Sequence, residues 1–327
     1  MRKTIELLVR PRFALWSLEE SVLKKTVISV VVLSVVLTVA SQNAAAQAHV
    51  KRAAYPLGEG PVVVLDLGHN NVDDPEFPPI LAEWLTQDGY VVRQLSTRFD
   101  EATLASVDLV ISRNPLSAYN RDNWTLPTPS AFSRGEIALL YNWILSGGAL
   151  LLVVDHMPIP GAAEELLSTF NFEISNGFAL DERSLRGYDD EVIHAAGRIS
   201  FRRSDGSLAD HPVTNGRTIA ERVDSIVTAV GSAFRLPPNG QSLLTFGPSF
   251  ISLLPESSWE FDDTTPRQAI EGWSQAGLAR VGLGRVAILG DSMLLRSALE
   301  DTESWALQNP QFTLNVVHWL SGLLDGR

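Results

Sequence analysis

Three uninterrupted apolar runs end abruptly on polar residues: PVVVLDLGHNN (61–71), DLVISRNP (108–115) and ALLLVVDH (149–156). Aliphatic stretches without polar alternation suit strands buried on both faces, and such strands belong in a parallel sheet covered by helices. Helical patterns lie between them. PPILAEWLTQDG (78–89) spaces Ile80, Leu81, Trp84 and Leu85 at helical intervals behind two prolines and stops at Gly89, a good C-cap. Ser133 and Glu136 form a capping box ahead of GEIALLYNWILSGG, whose Ile137, Leu140, Tyr141 and Ile144 make one stripe. With YVVRQL (90–95) as a further strand and ATLASV as a short helix, the order is four βα units. That order predicts an α/β fold with a doubly wound, mostly parallel sheet of flavodoxin-like type.

The middle of the chain is turn-rich, with SIVTAV, SLLTFG and FISLLP as candidate strands of a β-rich insertion over about 181–275. Asp210-His211-Pro212 reads as a turn and His194 as a strand or loop residue. The chain then returns to the sheet through AGLARVGLGRVAILGDS (276–292), two strands joined at Gly282-Leu283-Gly284. It closes with a helix capped by Asn309 and opened by Pro310. Residues 60–325 thus form one domain behind an irregular lead-in at 49–59.

The first 48 residues stand apart. Lys24 and Lys25 precede the uncharged run TVISVVVLSVVLTVA (26–40), and Ala46-Gln47-Ala48 fits the small-x-small cleavage pattern of a secretory signal. Fifteen apolar-leaning residues are short for a bilayer span. The expectation is therefore cleavage after Ala48 and a periplasmic or secreted product, with a membrane anchor through 26–40 as the alternative. Translation from Val22 would give a more compact leader than translation from Met1.

The chain has no cysteine, which removes disulfides, lipidated cysteine, thiolate metal sites and cysteine nucleophiles together. Loss of residues 1–48 takes six of 26 Lys/Arg and three of 38 Asp/Glu, leaving 20 against 35, a net charge of −15. Such a surface repels phosphate backbones, so no nucleic-acid partner is expected.

In doubly wound sheets ligands collect at the carboxyl ends of the strands. The candidate ligand-binding residues are accordingly Asp66, His69 and Asn70 after the first run, Arg113 and Asn114 after the second, Asp155 and His156 after the third, and Asp291 and Ser292 after the last. The competing reading makes Asp66, Asn70 and Asp155 servants of turn backbone groups, and His69 a solvated loop residue. Asp155 and His156 are also the catalytic candidates, with His156 as general base. Asp66, His69, Asp155, His156 and Asp291 have the ligand types for a divalent ion, but no compact metal signature is present, and no metal or cofactor is expected. Gly290-Asp291-Ser292 resembles the nucleophile block of GDS-type esterases, yet it stands near the wrong end of the chain. His318 reads as a satisfied core histidine. The loop at 115–133, with Tyr119, Arg121, Asn123 and Trp124, reads either as a packed surface loop or as a lid or binding surface.

Taken together, strand-DLGHNN, strand-SRNP and SGGALLLVVDH resemble the class I glutamine-amidotransferase-like superfamily. The resemblance is nearest to its exported members of unassigned activity and to the trehalose-utilisation type. GRVAILGDSMLL with NPQFTLNVVHWLSG resembles the gliding-motility and intraflagellar-transport branch. It covers about 60–160 and 276–325. Catalytic amidotransferases place a nucleophilic cysteine after the strand that here ends in Asp155 and His156, so glutamine hydrolysis by that chemistry is excluded. With no complete nucleophile-base pair, the expectation is an exported non-catalytic binding or scaffold protein whose degenerate cleft holds a small polar ligand, with carbohydrate suggested by Trp124 and Tyr119 beside Asn and Arg residues and by the trehalose-utilisation resemblance; a purely structural envelope protein is a further reading. A hydrolase using His156 and Asp155, metal-assisted or not, is the alternative.

Overall fold

The computed structural model describes residues 50–72, 77–295 and 308–326, and those from Val50 onward form one compact unit. The leader lies outside the described residues. In chain order the first half comprises β1 (Val62–Asp66), α1 (Pro79–Gln87), β2 (Val91–Leu95), α2 (Glu101–Leu104), β3 (Leu109–Arg113), α3 (Arg134–Leu145), β4 (Ala149–Val153) and α4 (Ile159–Thr169). The middle adds β5 (Glu173–Ser175), β6 (Phe178–Asp181), α5 (Asp190–Gly197), β7 (Arg198–Arg202), α6 (Pro212–Asn215), β8 (Ser225–Ala229), β9 (Ala233–Arg235), β10 (Gln241–Thr245), β11 (Phe250–Leu253) and β12 (Arg267–Ala269). The chain closes with β13 (Ser274–Val281), β14 (Gly284–Leu289) and α7 (Asn309–Leu320).

The main sheet has nine strands in the order β2-β1-β3-β4-β14-β13-β9-β5, with β10 also paired to β13. From β2 to β14 every pairing is parallel, and beyond β14 every pairing is antiparallel. Burial explains the sequence pattern. Every residue of β3 and β4 is buried, whereas β2 at the edge is half-exposed and alone carries Arg93 and Gln94 mid-strand. Alternate strand residues feed two cores. Leu65, Ile111, Leu151 and Leu289 face α1 and α7, while Val64, Val110, Leu152 and Ile288 face α2, α3 and α4. Helices on both faces make the sheet doubly wound, as the strand-helix alternation requires.

The β-rich middle distributes its strands over three places: β10, β9 and β5 extend the main sheet, β6, β11 and β12 form a three-stranded sheet, and β7 pairs with β8. Two local expectations are corrected. His194 lies in α5, whose first turn carries Asp190 and Glu191 as a helix N-terminus favours. His211 is the cap of α6, its Nδ1 accepting the Val213 amide at 3.1 Å. His318 is buried in α7, with Nε2 2.6 Å from Asp88 Oδ2.

Leu151 sits in the central strand with no exposed surface. Leu151→Ala is expected to cost about 2–5 kcal/mol, the range for a large-to-small change that leaves a cavity. Urea denaturation followed by circular dichroism measures it.

Candidate functional site

The carboxyl ends of β1, β3, β4 and β14 are neighbours, so the polar residues that follow them share one edge of the sheet. Rather than opening together into one void, they bond to one another in two groups. On the β1 side the Asp66 carboxylate is fully buried and accepts the Ser112 hydroxyl at 2.6 Å, the Gly68 amide at 3.0 Å and His69 Nδ1 at 2.8 Å. His69 is fully buried too, not a solvated loop residue. Its Nε2 lies 3.0 Å from Glu136 Oε1, and its ring is held between Phe99 and Phe132 with centroids at 4.7 and 4.5 Å. Both ring nitrogens therefore face carboxylates, and neither is directed at a ligand.

Glu136 does double duty. Its Oε2 accepts the Ser133 amide at 3.0 Å, completing the capping box of α3, while Oε1 takes His69 and the Phe99 amide. Burial pushes the Glu136 carboxyl up, but hydrogen bonds from Ser133 and the His69 ring outweigh it and hold the group below the ordinary carboxylate range. The sequence reveals the cap and conceals the second role, because the partner is 67 residues away.

Asn70 and Asn114 adopt left-handed backbone at φ 47° and 48°, where a short amide side chain is tolerated better than most. Asn70 Nδ2 donates to the Leu116 carbonyl, and Asn114 Oδ1 accepts the Asp155 amide, which ties the two groups of strand ends together. Arg113 is buried, donating to the Val72 carbonyl at 3.3 Å and lying 5.3 Å over the Phe77 ring.

On the β4 side Asp155 Oδ2 accepts the Ser292 hydroxyl at 2.6 Å, and Oδ1 accepts the His156 amide. The His156 ring is not polarised by Asp155: Nδ1 donates to the Met157 carbonyl at 2.9 Å. That ring instead stacks on Phe178 at 4.5 Å and meets Trp259 at 4.9 Å and Trp124 at 5.8 Å. Asp291 is a fully buried anchor whose oxygens accept the Ala229 and Met293 amides. Among the described residues no group of three or more His, Cys, Asp or Glu is arranged to hold a metal ion.

The loop from Leu116 to Thr128 is shaped by Asn120, which is buried and donates from Nδ2 to the carbonyls of Asn123, Thr125 and Pro127 at 2.9–3.2 Å. A second loop clasps it. Leu126 N donates to Glu256 O, Ser258 N donates to Trp124 O, and Thr125 pairs with Ser257 as an antiparallel bridge. The clasp brings Trp259 over His156, with Trp259 held at φ 67°. A bulky aromatic in that region is strained, and only its surroundings keep it there.

Beside the clasp a cleft of about 530 Å³ is open at the ends of β1 and β2, lined by Gly68, Asn70, Asn71, Ser96, Arg121 and Trp124 among others. Gly68 is needed here, since a Cβ would lie 2.2 Å from the Thr97 carbonyl oxygen. Of the nine sequence candidates only Asn70 reaches this cleft. Asp66, His69, Arg113 and Asn114 support its edge from beneath, and Asp155, His156, Asp291 and Ser292 belong to the β4 side.

The class this geometry defines is an α/β domain with a strand-end cleft and no cysteine nucleophile. No protein-family model and no curated protein matches the chain. Solved structures do. The mmIFT52 N-terminal domain is 12% identical and covers 80% of this chain and 97% of its own, with a TM-score of 0.53. A ThuA-like protein from Bacteroides uniformis (11% identity, 82% and 95% coverage, TM-score 0.44) and a GMP synthase subunit from Thermoplasma acidophilum (7%, 81% and 95%, 0.41) are also similar. At such identities the likeness is one of fold.

Replacing His69 by Phe leaves the Asp66 and Glu136 carboxylates buried without their shared partner, and is expected to cost about 3–5 kcal/mol in urea unfolding. A second outcome concerns pH. Because folding lowers the Glu136 value, its contribution is complete above the ordinary glutamate range and is lost as pH falls through the folded value. Glu136→Gln is expected to narrow the difference between urea midpoints measured at pH 7 and pH 3.

Proposed function

We propose that this chain is an exported, non-catalytic binding protein that holds a small polar ligand of carbohydrate chemistry in the strand-end cleft. One observation carries the reading: the Trp124 ring stands in an open cleft beside polar groups that the protein leaves unused. Asn70 Oδ1 and the Ser96 hydroxyl have no hydrogen-bond partner among the described residues, and Arg121 has only a 3.5 Å contact to exposed Asp122. An apolar ring face with convergent donors and acceptors is what a pyranose needs, and the cavity lies within the range of small-molecule sites. Export rests on the leader at 26–48, and the relation to exported members of the amidotransferase-like superfamily rests on the motifs already quoted.

The hydrolytic alternative draws less support. His156 Nδ1 is turned to its own backbone neighbour, Asp155 is engaged by Ser292, and the clasp covers the imidazole with two tryptophans.

A thermal-shift screen with mono- and oligosaccharides tests the reading. A bound sugar at a hundred times its Kd is expected to raise the midpoint by about 5–10 °C. Trp124→Ala abolishes that rise, and a screen in which no saccharide stabilises the protein overturns the proposal.

A further inference from the structure

The cleft does not end at Ser96 and Leu116. A second open cavity of about 710 Å³ is lined by Arg98, Ala118, Phe132 and Glu136 among others. The two cavities draw on the same two chain segments. Ser96 lines the first and Arg98 the second, two residues apart on the segment after β2. Leu116 lines the first and Ala118 the second, two residues apart on the segment after β3. Two residues span at most about 7 Å, so the two cavities lie side by side along the same pair of segments.

Each compartment carries one arginine with spare donors. Arg98 uses Nη1 on the Ala131 carbonyl at 2.6 Å and has a 3.5 Å contact to Glu136, while Nε and Nη2 have no partner among the described residues and half of its side chain is exposed. The Glu136 charge beside it is already engaged by His69 and by the Ser133 and Phe99 amides, so it leaves the free edge of Arg98 unclaimed. Arg121 lines the other cavity, and among the described residues its ion-pair partner is Asp122 at 3.5 Å. Each cavity also contains the acid its arginine touches, Asp122 in one and Glu136 in the other, and at 3.5 Å neither contact closes the guanidinium fork. A guanidinium fork matches a carboxylate in bidentate fashion.

We propose that the two neighbouring cavities act as one crevice and take a uronate-bearing oligosaccharide of about three sugar units, with a pyranose on Trp124, one carboxylate at Arg121 and another at Arg98. This rests on the reading of the cleft as a saccharide site and adds its length and charge. Arg98 is then a specificity residue that touches only the longer ligand.

Isothermal titration of the purified mature chain with galacturonic acid, trigalacturonate and fully methyl-esterified trigalacturonate separates the possibilities. Trigalacturonate is expected to bind at least tenfold more tightly than either the monomer or the ester, with an advantage that shrinks at high salt. Arg98→Gln lowers trigalacturonate affinity about tenfold and leaves the monomer unchanged, whereas Arg121→Gln weakens both. Unchanged urea midpoints show that these half-exposed positions act on binding and not on folding. Equal affinity for acid and ester, or indifference to Arg98→Gln, overturns the inference while leaving a neutral-sugar cleft in place. If neutral oligosaccharides and these three ligands all fail to bind, the saccharide reading falls as well.

Discussion

The imidazole of His69, clamped between Asp66 and Glu136, is the contact on which the cleft side of the sheet depends. It joins the end of β1 to the first turn of α3 in a buried region, where each carboxylate would be costly to hold alone. Around that clamp the turn at 67–72, the segment after β2 and the start of α3 are fixed relative to one another. Those same three pieces line the two cavities, and Phe99, Phe132 and Glu136 of the clamp themselves form part of the second lining, so the clamp sets the shape of both openings.

On the other half of the edge the logic is reversed. Asp155 and Ser292 engage one another, Asp291 takes nearby amides, and His156 is packed among rings. This is why the strand-end candidates form no nucleophile-base pair among the described residues: Ser292 has an acid for a partner and no imidazole, while His156 has a carbonyl for a partner and no acid.

The sheet was readable because burial on both faces leaves an unmistakable mark, as in ALLLVVDH, and because glycines and prolines punctuate the helices. The capping box at Ser133 and Glu136 was readable for the same local reason. The site was only partly so. Position at a strand end picked out nine residues but could not say which way each side chain turns, and Asp66, His69 and Asp291 turn inward. Arg98 and Ser96 went unnoticed because YVVRQL is followed by an ordinary polar turn, and Trp259 because its partners, His156 and His194, are 65 residues or more away in sequence. Asn120 looked like any polar loop residue, since nothing local reveals three carbonyls converging on one amide.

The clasp between 124–126 and 256–258 has a consequence for how this surface changes over time. Because two segments distant in the chain are stitched backbone to backbone, neither can lengthen or shorten without unpicking the other. The margin of the cleft at Trp124 is thereby tied to a segment more than a hundred residues further along the chain. Side chains such as Ser96, Arg98 and Arg121 carry no such backbone stitching, so each can be exchanged without unpicking the clasp.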